Sequence, residues 1–168
     1  MINAKGKRVF IRMRNRRASE ERGDELTIDM LKEVLRKEGE SPDARFHDSM
    51  PFIGYVPGNG SEIAGRFFPS RNAILVLTHN EDEVTRATVN HELAHAISYK
   101  SRCGGTGPSE RSQCGYHGQH DQKFYEILED LHRQSGISVD AARAVEGAYD
   151  YPKHWRDQEE WGASAPAA

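Results

Sequence analysis

No apolar run in the chain approaches the roughly 18 residues that a bilayer span requires. Residues 1–10 also lack the apolar stretch of a secretory leader, so a cytoplasmic protein without membrane contact is the expectation. Cysteine is scarce. Cys103 and Cys114 are the only two, and with no second pair they cannot complete a four-cysteine zinc site. In the absence of a leader, two reduced thiols are expected rather than a disulfide. A phosphate loop is missing too: Pro57-Gly58-Asn59-Gly60 is glycine-rich, but no Lys-Ser/Thr follows it. There is no internal repeat. What remains is a chain of 168 residues, 36% hydrophobic and 29% charged, which suits one domain with its own core and is too apolar for full disorder.

Acid is absent from residues 1–17, which hold seven basic residues from Lys5 to Arg17. The whole chain carries a formal charge of −3, so this basic head sits on an acidic body. Such a head suits contact with a local anionic partner such as DNA. It equally suits a solvated edge strand whose charges block edge pairing.

Hydrophobic spacing gives the elements. Val9, Ile11 and Met13 alternate within 8–15, a half-buried strand. Residues 27–37 place Ile28, Leu31 and Leu35 on one helical face, with Thr27 as N-cap and Gly39 just past the end. Residues 52–56 and 63–68 predict two strands, and the Pro-Gly-Asn-Gly turn between them predicts a hairpin. A third strand is expected over 72–77. A long helix over 81–100 repeats Val89, Leu93 and Ile97, a loop covers 102–118, and helices follow over 121–134 and 139–148. The tail 162–168 is expected to fray. This order implies a single α+β domain over 1–168. A basic N-terminal strand over 1–17 leads into a core of about 24–150, in which a small mixed sheet packs on the long helix with further helices around it.

The informative residues are His91-Glu92-Leu93-Ala94-His95, an H-E-x-x-H pattern. Four residues apart on a helix, two imidazoles share a face and can meet one metal ion. Glu92, turned about 100° from His91, stands beside the ion and can reach a water bound to it. Zinc suits nitrogen ligands and leaves a fourth position open for that water. A third protein ligand is needed, and His117, His120, Asp121 and Glu126 are the candidates.

The pattern His91-Glu92-x-x-His95, followed by His120-Asp121-Gln122-Lys123-Phe124-Tyr125, resembles the SprT-like and WLM metallopeptidases. In those families a third histidine follows the helix motif, then a small or polar residue, with an aromatic four places after the histidine. His120 and Phe124 have that spacing, whereas His117-Gly118 puts Asp121 where the aromatic belongs. The resemblance spans roughly residues 27–136 and is specific over 88–131. It implies a zincin-like fold and a zinc-dependent endopeptidase holding one Zn²⁺ on His91, His95 and His120. Glu92 is then the general base that activates water against a protein or peptide substrate. It also implies that the strand before the active-site helix, residues 72–77, offers its edge to the substrate backbone, with 65–68 beside it. Tyr116, His117 and Tyr125 are candidates for a further electrophile, although packing is the ordinary role of a tyrosine.

The chain departs from the families in two ways. The 24 residues between His95 and His120 make a long loop, and the zinc-ribbon extension of some SprT-like proteins is absent. DNA dependence therefore does not carry over, although recruitment to DNA-bound proteins through the basic head would unite both features. Two other readings stand beside the peptidase: a non-proteolytic, zinc-containing nucleic-acid-binding module, and a regulatory peptidase that cuts one repressor partner. Oligomeric state is not legible.

Overall fold

The structure is a computed structural model that describes residues 26–43, 50–103, 116, 118 and 120–146. The basic segment 1–17, Cys114, His117 and the tail 162–168 lie outside them. Helix α1, Ile28–Lys37, starts where Thr27, in extended backbone, accepts the Met30 N–H on its hydroxyl at 3.2 Å. It ends in a Schellman turn. Gly39 takes a φ of 78°, its N–H bonds Arg36 O, and the Glu40 N–H bonds Leu35 O at 2.8 Å. Both ends fall where the residue types place them.

Three strands follow: β1 Phe52–Gly60, β2 Gly65–Phe68 and β3 Ala73–His79, in spatial order β1-β3-β2. β1 runs parallel to β3 and β2 antiparallel to it. The expected hairpin between 52–56 and 63–68 is therefore not formed, because β3 lies between those strands. The reversal occurs instead between β2 and β3, at Pro69 to Asn72. There Arg71 N–H bonds Phe68 O, Asn72 N–H bonds Pro69 O, and Asn72 adopts a φ of 48°. Pro57-Gly58-Asn59-Gly60 carries β1 onward through an irregularity until Gly60 pairs with His79. An edge strand tolerates proline there. The physical reason for the order is burial. Ala73, Ile74, Leu75 and Val76 form a continuous apolar run with no exposed surface, which belongs in a central strand covered on both faces.

Alternation along the strands divides the core. Phe52, Phe68, Ala73 and Leu75 pack with Leu31 and Leu35 of α1 on one face. Ile53, Phe67, Ile74 and Val76 pack on the other against helix α2, Asp82–Cys103. α3, Gln122–Gln134, and α4, Val139–Glu146, pack on further sides of α2, at Ala94 and Ala87 respectively. With the sheet and two helices around it, α2 buries small and polar residues: Ala87, Thr88, Ala94, Ala96 and Ser98. The stripe Val89, Leu93, Ile97 that periodicity marks is its less buried side, and Ile97 is 40% exposed.

The chain is thus a mixed α+β protein with a small three-stranded mixed sheet. Among the described residues, no helix is long and apolar enough to cross a membrane. One expectation is corrected outright. Cys103, buried at the end of α2, is disulfide-bonded rather than a reduced thiol. The expectation rested on compartment alone and took no account of a fold that brings a second sulfur to Cys103.

Candidate metal centre

His91 and His95 project from one face of α2, one helical turn apart, with ring centroids 5.1 Å from each other. His120 reaches them from the residue before the N-cap of α3. Its Nε2 lies 3.1 Å from His91 Nε2 and 3.0 Å from His95 Nε2. A tetrahedral ion bonded to nitrogens at 2.0–2.1 Å holds them about 3.3 Å apart, close to both His120 spacings, and all three ligand atoms lie within 4.8 Å of one another. The three histidines are close enough to hold a metal ion, and no other such cluster occurs among the described residues.

The third histidine is fixed by the residue after it. Asp121 caps α3 by accepting the Phe124 N–H on Oδ1 at 3.0 Å, while Oδ2 accepts a hydrogen bond from Arg102 Nη2 at 2.6 Å. That ion pair ties the start of α3 to the last turn of α2. Asp121 is thus occupied as a cap, and Glu126 pairs with Gln122 on an exposed face. Phe124, fully buried, sets its ring 5.0, 4.6 and 4.7 Å from the rings of His91, His95 and His120. One benzene ring therefore packs against all three imidazoles. Tyr116 stacks edge-on against Tyr99, and Tyr125 packs against Phe124.

Glu92 is buried where α2 meets the sheet. Desolvation pushes its carboxyl up from 4.5 to about 7, against a downward pull from neighbouring His91 and from the Phe67 N–H that hydrogen-bonds it. The strand beside it is β2. A Cβ at Gly65 would lie 2.8 Å from Glu92 Cγ and 3.0 Å from Thr88 Cγ2, so only glycine lets the strand come this close. The Leu77 N–H bonds Ala64 O, which sets the alternation: Ala64, Arg66 and Phe68 face β3, and Gly65 and Phe67 turn their backbone groups outward. The strand edge nearest the carboxylate is therefore that of β2. The strand immediately before the helix, expected in this place, is paired on both sides.

Sequence reasoning missed three features. Gly65, a glycine within a strand, carried a signal of close backbone approach. Glu146 carried none: it lies 55 residues from His91, yet its Oε2 is 2.7 Å from His91 Nδ1. Asn90 also passed unnoticed. Its amide donates to His132 Nδ1 at 3.0 Å and to Ser135 Oγ at 2.8 Å, holding α2 to α3 beside the histidines.

No family model, curated protein or solved structure matches the chain. The chemistry of the site must speak for itself.

Proposed function

We propose that this chain is a zincin-like, zinc-dependent endopeptidase that hydrolyses peptide bonds in protein or peptide substrates. One juxtaposition carries the reading: the buried Glu92 carboxylate adjoins both a converging set of imidazole nitrogens and an outward-facing strand edge. Three imidazoles without a thiolate suit zinc, held by His91, His95 and His120. When bound, the ion supplies Lewis acidity, polarising a carbonyl and acidifying water.

Glu92 takes a proton from the attacking water and returns it to the leaving amine. A carboxyl whose ordinary range has been lifted to about 7 by burial is a stronger base than an exposed one. The Phe67 N–H and the bare Cα of Gly65 fix where it points. The outward backbone groups of Gly65 and the Phe67 carbonyl align an extended peptide as an added strand, a sequence-tolerant mode of binding. The buried Phe124 ring packs against all three imidazoles and holds them in place.

The resemblance to SprT-like and WLM metallopeptidases points the same way. A non-proteolytic module that grips nucleic acid through residues 1–17 leaves the buried Glu92 without a task. A regulatory peptidase for one repressor partner differs in substrate alone. The test is Glu92→Gln assayed on an unfolded protein substrate. Zinc content should stay at the wild-type level while cleavage falls at least about 100-fold. Cleavage at the wild-type rate, or a wild-type protein that takes up no metal, overturns the reading.

A further inference from the structure

We infer that Glu146 is a positioning residue for the metal centre, fixing His91 as a ligand through its Nδ1. The inference rests on reading His91, His95 and His120 as a metal site. Glu146 is the last residue of α4 and is 1% exposed. Its Oε2 lies 2.7 Å from His91 Nδ1, and among the described residues Oε1 is buried without a hydrogen-bond partner. The carboxylate thus has a single imidazole as its hydrogen-bond partner among the described residues. It is well compensated when a dication sits on the far nitrogen of the same ring, because the Nδ1–H is then polarised and the two charges face each other through the imidazole.

The rest of α4 explains why the carboxylate cannot simply turn to water. Ala141, Ala142 and Val145 pack with Val84, Ala87 and Ile137 into one apolar cluster, which fixes the helix against α2. In a helix whose other buried positions are apolar, the inward carboxylate is the exception. Its reach decides the tautomer of His91. With the proton on Nδ1 donated to Oε2, Nε2 presents its lone pair toward His120, where the shared ion would sit. His91 is thereby held on both ring nitrogens.

The experiment measures zinc affinity by chelator competition on the full chain at pH 8, for wild type, Glu146→Gln and Glu146→Ala. Zinc binding should weaken 10- to 100-fold in the alanine variant. The glutamine variant should lie between, because its amide oxygen still accepts the Nδ1–H but brings no charge. A merely structural role would show as loss of stability in the zinc-free protein. The proposal expects the glutamine variant to lose zinc affinity by more than any fall in its zinc-free stability in urea accounts for. Nitrogen-15 spectra of zinc-loaded wild type should show His91 protonated on Nδ1, a readout that needs no variant to fold. Zinc affinities within twofold of wild type in both variants, or a proton on His91 Nε2, overturn it. Wild type that binds zinc but cleaves nothing sinks the peptidase reading and leaves this one standing. Wild type that binds no zinc sinks both.

Discussion

His132 is the most deeply buried imidazole of the described residues, with no exposed surface, and it is not part of the metal cluster. Its Nδ1 accepts from Asn90, and burial drives its pKa down from 6.5 to about 3. The sign follows directly. The unfolded chain binds a proton below about pH 6.5 that the folded chain refuses until about pH 3, so stability present at neutral pH drains away as pH falls through that window. At about 1.4 kcal/mol per pH unit, the loss reaches several kcal/mol. Urea midpoints measured from pH 7 to 4 should fall more steeply for wild type than for His132→Gln, whose side-chain oxygen can still accept from Asn90. Parallel slopes would show that His132 is not the acid-sensitive group. At the same scale stands the loss of cleavage with retained zinc expected of Glu92→Gln.

Between elements, two contacts decide the geometry of the site. Asp121 both caps α3 and holds Arg102 of α2. Asp121→Ala should cost about 1 kcal/mol of stability through the cap and also weaken zinc binding, since His120 is the adjoining residue. Urea unfolding and chelator competition measure the two effects separately. Gly65→Ala forces β2 away from Glu92 and should lower cleavage while zinc content holds, read by activity and metal analysis on the same sample. These elements were unequally legible. α1 and α3 could be read closely because their caps are local: Thr27, Gly39 and Asp121 satisfy backbone groups within a few residues of themselves. The strands were found but mispaired, because a turn motif such as Pro57-Gly58-Asn59-Gly60 is local and the preference of residues 73–76 for the sheet centre is not. The packing of α2 was misread because a helix enclosed on several sides is selected for small residues, which leave no periodic stripe. The motif marked His91 and His95, and family spacing marked His120, the three histidines that the fold brings together. Nothing local marks Glu146, since a single glutamate announces a contact only when the chain has folded.

Across the molecule, the histidines and Glu146 draw on three separate helices: His91 and His95 on α2, His120 at the start of α3 and Glu146 on α4. Metal should therefore act on global stability rather than on one loop. With free zinc at 1,000 times its dissociation constant the folded state gains about 4 kcal/mol. For a chain of this length that corresponds to roughly 10 °C in Tm. Calorimetry with zinc and with a chelator checks this. Coincident melting curves would mean that the three histidines hold no ion in solution.

The 55-residue separation of His91 from Glu146 also dates the site's completion during synthesis. A ribosome releases α2, with His91 and His95, well before it releases Glu146. The contact between His91 and Glu146 thus waits until α4 has emerged and docked against α2.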